Sequence, residues 1–456
     1  MSKNKRIVYF LTLVPIIIIL SLFVWIFTVI FEGENPMVNL APTPAYLSGI
    51  QKFSISINDR KRGLKSMTVS CKQGGKEVIV FEKQFPFKGF INRQGDRDFT
   101  TEVEIDPEKL RLTQGRMDIS VQVWDYSRRG GGDGNMTLSS HEMTVDTIPP
   151  SIKAISRMHN VNKGGTGMVL YRVSSDAIES GLYAGNTFFP GYASNGETDR
   201  RFHVVYFTVP HNAKSDTNIY LWAKDKAGNI SKARFYHHIR NKRFRSDKIN
   251  ISDKFLEKIL PYFSDYLSDF HGDDIAKFLK INNDIRKEDN KRFYELAKLS
   301  TPEKLWEGKW LRLENSANMA GFADLRTYYY KGEKIDEKYH LGIDLASLAN
   351  SPVTAANHGR VIFAEKNGIY GLTIVIDHGQ GLMSLYGHLS SLEVKDGQSV
   401  KKGDIIGHTG QTGLAGGDHL HFGILVNGFF VNPIEWWDSH WIEDNITKKF
   451  ELIEQN

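Results

Sequence analysis

Ile7 to Phe31 is a run of 25 residues without a charge. As a helix it reaches about 37 Å, more than the ~30 Å hydrocarbon core of a bilayer. In lipid, every backbone polar group must be satisfied within the segment. The run therefore predicts one long helix, and a membrane helix tolerates Pro15 and Ser21. Lys3, Lys5 and Arg6 precede it, while Glu32 and Glu34 follow. The excess of basic residues on the short side predicts an N-terminus in the cytoplasm, with about 425 residues beyond the membrane. A cleaved leader would have an apolar core of about 7–15 residues and a small-x-small cleavage site. This run is longer, and Asn35-Pro36-Met37 offers no such site. The reading is an uncleaved single-pass anchor in the cytoplasmic membrane, with residues 1–32 as cytoplasmic tip and helix.

Charge and cysteine content narrow the rest. Lys plus Arg number 58 and Asp plus Glu 53, an excess too small to argue for a nucleic-acid partner. Cys71 is the only cysteine. It excludes an intramolecular disulfide and a thiolate-rich zinc site, so any metal must rest on His and carboxylates. Its ordinary role is a small buried apolar side chain.

Beyond a Pro-rich linker at 33–46 the pattern turns to β. Phe53-Ser54-Ile55-Ser56-Ile57, Met67-Thr68-Val69-Ser70-Cys71 and Ile119-Ser120-Val121-Gln122-Val123-Trp124 alternate with period two between Gly, Asp and Asn turns, which predicts a sandwich. Val121 to Asp125 with Gly134-Asn135 is echoed by Ile219 to Asp225 with Ala227-Gly228-Asn229, and Asp146-Thr147-Ile148-Pro149-Pro150 stands between. These turns and that junction resemble tandem bacterial immunoglobulin-like domains. They imply two immunoglobulin-like β-sandwiches, 33–148 (with the linker) and 149–246, serving as spacers or as platforms for envelope protein partners. The basic run Arg240 to Arg245 reads as a solvated linker.

A helical segment is predicted over 247–308. Phe255, Ile259, Phe263, Tyr266, Leu267 and Phe270 form one apolar stripe behind a cap at Ser252 or Asp253. Ile275, Phe278 and Leu279 open a second helix behind Asp273 or Asp274, and Phe293, Leu296 and Leu299 mark a third. The segment reads as a packing collar, with a lid as the rival.

From about Trp310 short apolar strands return, divided by closely spaced glycines, and seven of the 15 histidines fall between Tyr339 and Asn427. In His419-Leu420-His421, residues i and i+2 of a strand share a face, which suits two metal ligands or one ligand with a catalytic neighbour. In His340-Leu341-Gly342-Ile343-Asp344, a flat strand would hold the end side chains about 13 Å apart. Zinc ligands lie ~2 Å from the ion, so the backbone must bend, and Gly342 permits it. Tyr386-Gly387-His388-Leu389-Ser390 sits at a strand end. His358, His378 and His408 lie beside glycines and read as turn residues. Tyr328, Tyr329 and Tyr330 read as packing on a strand.

Taken together, these motifs resemble the lysostaphin-like zinc endopeptidases that cut peptidoglycan cross-links. The likeness extends through Gly359-Arg360-Val361, Tyr370-Gly371, Asp377-His378-Gly379, Gly397 to Asp404 and Gly410-Gln411-Thr412-Gly413. The resemblance implies an antiparallel β metallopeptidase domain over 309–440, followed by a tail at 441–456. It implies one Zn2+ per chain, with His340, Asp344 and His421 as metal ligands and His388 and His419 as catalytic residues. The overall expectation is a mainly β, multidomain, membrane-anchored enzyme acting on peptidoglycan. The alternative is a non-catalytic activator or scaffold for another cell-wall hydrolase.

Overall fold

The computed structural model describes residues 3–194, 202–214 and 216–454. Residues 1–2 of the expected tip, 455–456 of the expected tail, and 195–201 and 215 of the expected second sandwich lie outside the described residues. The architecture is mainly β, with one long apolar helix at the N-terminus and a few short helices. That helix is Lys3–Ile30. Its stretch Phe10–Ile30 is long and apolar enough to cross a membrane. Pro15 lies inside it without ending it, and its large apolar side chains face outward rather than into a protein core.

The chain forms two compact units, Met1–Pro149 with Lys226–Asn229, and Pro150–Asp225 with Ile230–Asn456. In the first, a five-stranded sheet faces a three-stranded one. Alternation decides what lies between them. Phe53, Ile55 and Ile57 point inward from Gln51–Asn58 and meet Val69, Ile119 and Val121 in one core. Cys71 is buried there, and burial pushes its thiol up to about 11. It is an inert packing residue.

The second unit contains two four-stranded sheets, the helical segment and an eight-stranded sheet. One apolar core runs from Met168, Leu170 and Tyr206 of the four-stranded sheets to Trp310, Ile343 and Phe422 of the C-terminal part. Its centre is an aromatic cluster. The Trp436 ring lies 5.0 Å from Trp310, 5.4 Å from Trp306 and 6.4 Å from Tyr206. Beside it the buried Glu435 carboxylate accepts from Asn162 Nδ2 at 2.9 Å and Thr166 N at 2.8 Å. A Cβ on Gly165 would lie 2.4 Å from Glu435 Oε1, so only glycine leaves room for that bond. The segment expected as a tail is helical to Glu454. Its Ile442 and Ile446 enter this same core, and Lys449 Nζ donates to Met168 O at 2.8 Å.

The helical segment begins with Asp253–Ile259, capped by the Ser252 hydroxyl accepting from Phe255 N. A 3-10 stretch, Leu260–Leu267, follows. Asp273 caps Asp274–Lys280 by accepting from Ala276 N. The expected second and third helices are one continuous element, joined through a π turn at Ile281–Ile285 to Arg286–Ala297. Leu299 lies outside that helix and is exposed, because the apolar periodicity continued one turn past the point where the helix ends. Phe263 and Phe293 are fully buried in a core that they share with Tyr370, Met383 and Leu385 of the C-terminal sheet.

In that sheet, strand Leu420–Val426 lies between Ile343–Ala346 and Leu382–Leu389, antiparallel to both. Trp436→Ala should cost about 3–5 kcal/mol, as expected for an emptied aromatic site. It should also lower one shared melting transition of the four-stranded sheets and the C-terminal sheet. Thermal denaturation followed by hydrogen exchange in both regions checks this; loss confined to one region would contradict a common core.

Candidate metal centre

Strand pairing assembles the centre. Asp344 sits directly opposite His421 in the pair Ile343–Ala346 with Leu420–Val426, and Gly387 sits opposite His421 on the other flank. His340 precedes the first of these strands. Its Nε2 comes to 2.9 Å from Asp344 Oδ1 and 3.1 Å from His421 Nδ1, and the latter is 2.9 Å from the same Oδ1. His340, Asp344 and His421 are all buried. The edges of a tetrahedron of ligands at ~2.0–2.1 Å are about 3.3 Å, so these three atoms lie close to the spacing one small dication requires. His340 Nδ1 faces Gly321 O at 2.9 Å. Donation of that N–H to the carbonyl leaves Nε2 as the lone pair directed at the centre. The donor set, two imidazoles and a carboxylate, is one that zinc favours.

The expected bend at Gly342 has a different cause. Gly342 is not in the left-handed region. A Cβ there would lie 2.4 Å from His421 Nε2 and 2.9 Å from Phe422 O. Glycine is needed because the ligand ring packs against the backbone.

His388 reaches the site through a bulge. Ile374 pairs with Tyr386 and Leu372 with Leu389, so Gly387 and His388 together oppose one residue, and His388 has φ 63°. A bulge of this kind re-aims a side chain, and a left-handed histidine in a strand is uncommon enough to suggest function. The His388 ring lies 4.8 Å from that of His419 and 5.7 Å from that of His421, and its Nδ1 faces Thr412 O at 2.8 Å. His419 Nδ1 faces Gly417 O at 2.8 Å, and its Nε2 is 3.6 Å from Asp344 Oδ1. All five residues singled out from the sequence therefore converge on one place.

The surroundings give these groups opposed protonation preferences. Burial works to raise the Asp344 pKa. The facing His340, with hydrogen bonds from His340, His419 and His421, outweighs it and holds the carboxyl well below its usual range. Burial depresses His421 to about 4. It also pushes His388 well below the ordinary histidine value, helped by His419 and His421. His419 moves the other way: burial opposes its protonated form, but its hydrogen bond to Asp344 and that residue's charge prevail. The centre thus holds an ionised carboxylate and neutral imidazoles at His421 and His388, the states that ligate metal or accept protons.

Two supporting residues have no role that the sequence assigned. Arg326, on strand Leu325–Tyr330, donates from Nη2 to Asp344 Oδ2 at 2.7 Å, leaving Oδ1 to the histidines. Nothing in the sequence separates Arg326 from any surface arginine, because only strand register brings it here. Tyr370 packs its ring 5.4 Å from His421 and 5.1 Å from Phe293 of the helical segment, and its hydroxyl donates to Asn290 Oδ1. The pattern Tyr370-Gly371 was visible, but its partner helix was not. A cavity of about 550 Å³ opens beside Asp344 and Arg326, walled by Ile249, Phe255 and Phe278.

The remaining histidines lie elsewhere. His378 is buried against Trp310 at 4.4 Å and is hydrogen-bonded through Nε2 to Ser384 Oγ and Nδ1 to His358 O. His408 Nδ1 meets Ser391 Oγ, and His358 lies 3.5 Å from Glu307 Oε1. Tyr328 packs on Phe278, and Tyr330 donates to Asp253.

An antiparallel sheet that gathers two histidines and an aspartate, with two more histidines beside them, has the donor set of a metal centre. Residues 338–433 match the model of "Peptidase family M23", and the C-terminal part of this chain is an M23, lysostaphin-like peptidase domain. It is 39% identical over 97 residues to the DD-carboxypeptidase/endopeptidase Mpg of Neisseria meningitidis serogroup B, covering 21% of this chain and 22% of that protein. It is 38% identical over 96 residues to the peptidoglycan DD-endopeptidase ShyA of Vibrio cholerae, with the same coverage. It is 35% identical over 102 residues to stage II sporulation protein Q of Bacillus subtilis, covering 22% of this chain and 36% of that one. The chain thus spans about a fifth to a third of the length of these relatives.

Asp344→Ala should abolish stoichiometric metal binding. Arg326→Ala should weaken it by about 10–100-fold, the usual effect of removing a group that orients a ligand. Elemental analysis and competition with a chromogenic chelator check both; a full equivalent of tightly held metal in Asp344→Ala would refute the ligand set.

Proposed function

We propose that this chain is a membrane-anchored zinc metalloendopeptidase that hydrolyses peptide bonds in peptidoglycan stem peptides or cross-bridges. The observation that carries the reading is the grouping of His340, Asp344 and His421 donor atoms within 4.8 Å of one another, beside two histidines of opposite proton preference. Zinc held by those three residues would supply a Lewis acid toward a peptide carbonyl and toward water. The rest of the work falls to the protein. His388, kept neutral, accepts a proton from the attacking water. His419, whose protonated form Asp344 favours, stabilises the carbonyl oxygen as it gains charge and passes a proton to the departing amine. Two like groups driven apart in pKa are the usual signature of an acid and base pair. Arg326 holds the carboxylate in place while these transfers occur.

The substrate class rests on the M23 domain and on relatives named as peptidoglycan endopeptidases. The competing reading is a scaffold without catalysis, favoured by the likeness to a sporulation protein whose name states no hydrolase. The full donor set and the strained His388 backbone argue for catalysis, since a scaffold has no need of either.

His388→Ala and His419→Ala should each retain about one zinc and the native fold, yet lose wall digestion by about 10²–10⁴-fold. Mass spectrometry of fragments released from purified wall, with and without a chelator, reads this out. A metal-loaded wild-type protein that releases nothing would end the enzyme reading.

The helix Lys3–Ile30 and the basic residues at its start support a single-pass topology with the C-terminal domain beyond the cytoplasmic membrane. Protease added to intact spheroplasts should digest that domain, and the full-length protein should remain with the membrane fraction. A protected domain, or a shortened soluble product, would contradict the anchor.

A further inference from the structure

A second cluster of oxygen donors lies in the first unit, where the chain leaves the long helix and joins its sandwich. Glu32, Asp59 and Asp125 each place one carboxylate oxygen within 4.8 Å of the others. Three carboxylates this close repel one another strongly away from water. Arg62 is buried beside them, but its guanidinium donates to the carbonyls of Ile91 and Tyr126, not to the carboxylates.

Asp59 shows where a cation belongs. It is only 3% exposed. Its Oδ1 accepts from the backbone N–H groups of Lys61, Arg62 and Gly63, while its Oδ2 is buried without a partner. A buried carboxylate oxygen left in that state is costly unless a cation or a proton meets it. The Asn135 side-chain amide points into the same place. Its terminal atom lies 2.8 Å from Asp125 Oδ2, 3.0 Å from Glu32 Oε1, 3.1 Å from Glu32 O and 3.3 Å from Glu34 O. An amide nitrogen has two hydrogens and cannot serve four acceptors. Turned by 180°, the amide presents its oxygen to the same place, the two ends of the group being nearly alike in size. The site then offers six oxygens and no nitrogen or sulfur.

We propose that Glu32, Glu34, Asp59, Asp125 and Asn135 form a calcium site that fastens the end of the N-terminal helix to the first sandwich. An all-oxygen set that includes backbone carbonyls suits a hard cation. Its irregular arrangement suits calcium, which takes 6–8 oxygens flexibly, rather than magnesium, which demands a near-ideal octahedron. Two of the donors, Glu32 and Glu34, belong to the chain just past the helix, and two, Asp125 and Asn135, stand at the two ends of the loop between strands Gly115–Asp125 and Met136–Val145. Occupancy would fix the direction in which the sandwich leaves that helix. The site is separate from the His340 centre and does not depend on its chemistry.

The test uses the full chain in detergent micelles, stripped of divalent ions and given one equivalent of zinc. Calcium at millimolar concentration should raise the melting temperature of the first unit, and magnesium should do so much less. Isothermal titration should give one calcium per chain, and Asp59→Asn and Glu32→Gln should each weaken it about tenfold or more, since affinity follows ligand charge. Asp344→Ala should leave it unchanged. Glu32→Gln secures the test if Asp59→Asn fails to fold, because the Glu32 side chain lies outside the sandwich core. No saturable calcium binding by the wild type, an equal response to magnesium, or unaltered binding in Glu32→Gln would each overturn the proposal.

Discussion

The Asp344 carboxylate is the group on which the C-terminal centre depends. It is almost fully enclosed, and an unpaired charge there would be unfavourable by several kcal/mol. Its two oxygens divide their partners. Oδ2 takes the Arg326 guanidinium, and Oδ1 faces three imidazoles. The four partners arrive from three places: a hairpin strand, the approach to Ile343–Ala346, and both ends of the His419-Leu420-His421 step. A carboxylate satisfied from so many directions fixes the relative positions of those elements. Removing any one partner leaves the others to repel or to go unpaired.

That requirement explains the investment in rigid support far from the histidines. Strand Leu420–Val426 is held on both flanks, and its face is packed by Phe422 against Tyr386. The strand's continuation leads to Glu435 and Trp436, which lock onto the four-stranded sheets through Thr166 and Tyr206 and onto the neighbouring two-stranded sheet through Asn162. On the opposite side, Asp289 of the helical segment accepts from Ile369 N at 2.7 Å, placing Tyr370 against His421. Two of these supports, Glu435 and Asp289, are buried carboxylates met by specific donors, which selects one arrangement where apolar packing alone would tolerate several.

The centre was legible in the sequence because its residues recur as short motifs with chemical meaning. His340 to Asp344, His388 and His419 to His421 are close pairs or lie beside glycines, and their types suffice to suggest a metal. The period-two strands were legible for the same local reason: Phe53, Ile55 and Ile57 announce one buried face. What was not legible depends on contacts distant in the chain. Arg326 is 18 residues from Asp344 and carries no pattern of its own. Glu435 is 273 residues from Asn162, so the joining of the second sandwich to the C-terminal sheet leaves no local trace. Periodicity separated the second and third helices because it does not register a π turn, which shifts the apolar face without ending the helix. Gly342 looked like a hinge, whereas its need is set by a ring that arrives from residue 421.

The helical segment can be placed between collar and lid on physical grounds. A lid must detach at small cost, so its contacts should be few, polar and exposed. Phe263, Phe278 and Phe293 are instead fully buried, and Asp289 and Asn290 hold Ile369 and Tyr370 from within. Freeing those three aromatic rings would expose apolar area worth several kcal/mol. Lid-like contacts lie at the surface, where Lys258, in the last turn of Asp253–Ile259, reaches Gln411 Oε1 at 2.9 Å and Gly416 O at 3.1 Å, and where Lys366 meets Asp265 at 3.5 Å. Most of the segment is therefore a fixed wall of the cavity beside Asp344. Opening of that wall costs least at its exposed polar contacts, among them Lys258 and the loop it touches, where water can take over the hydrogen bonds that break.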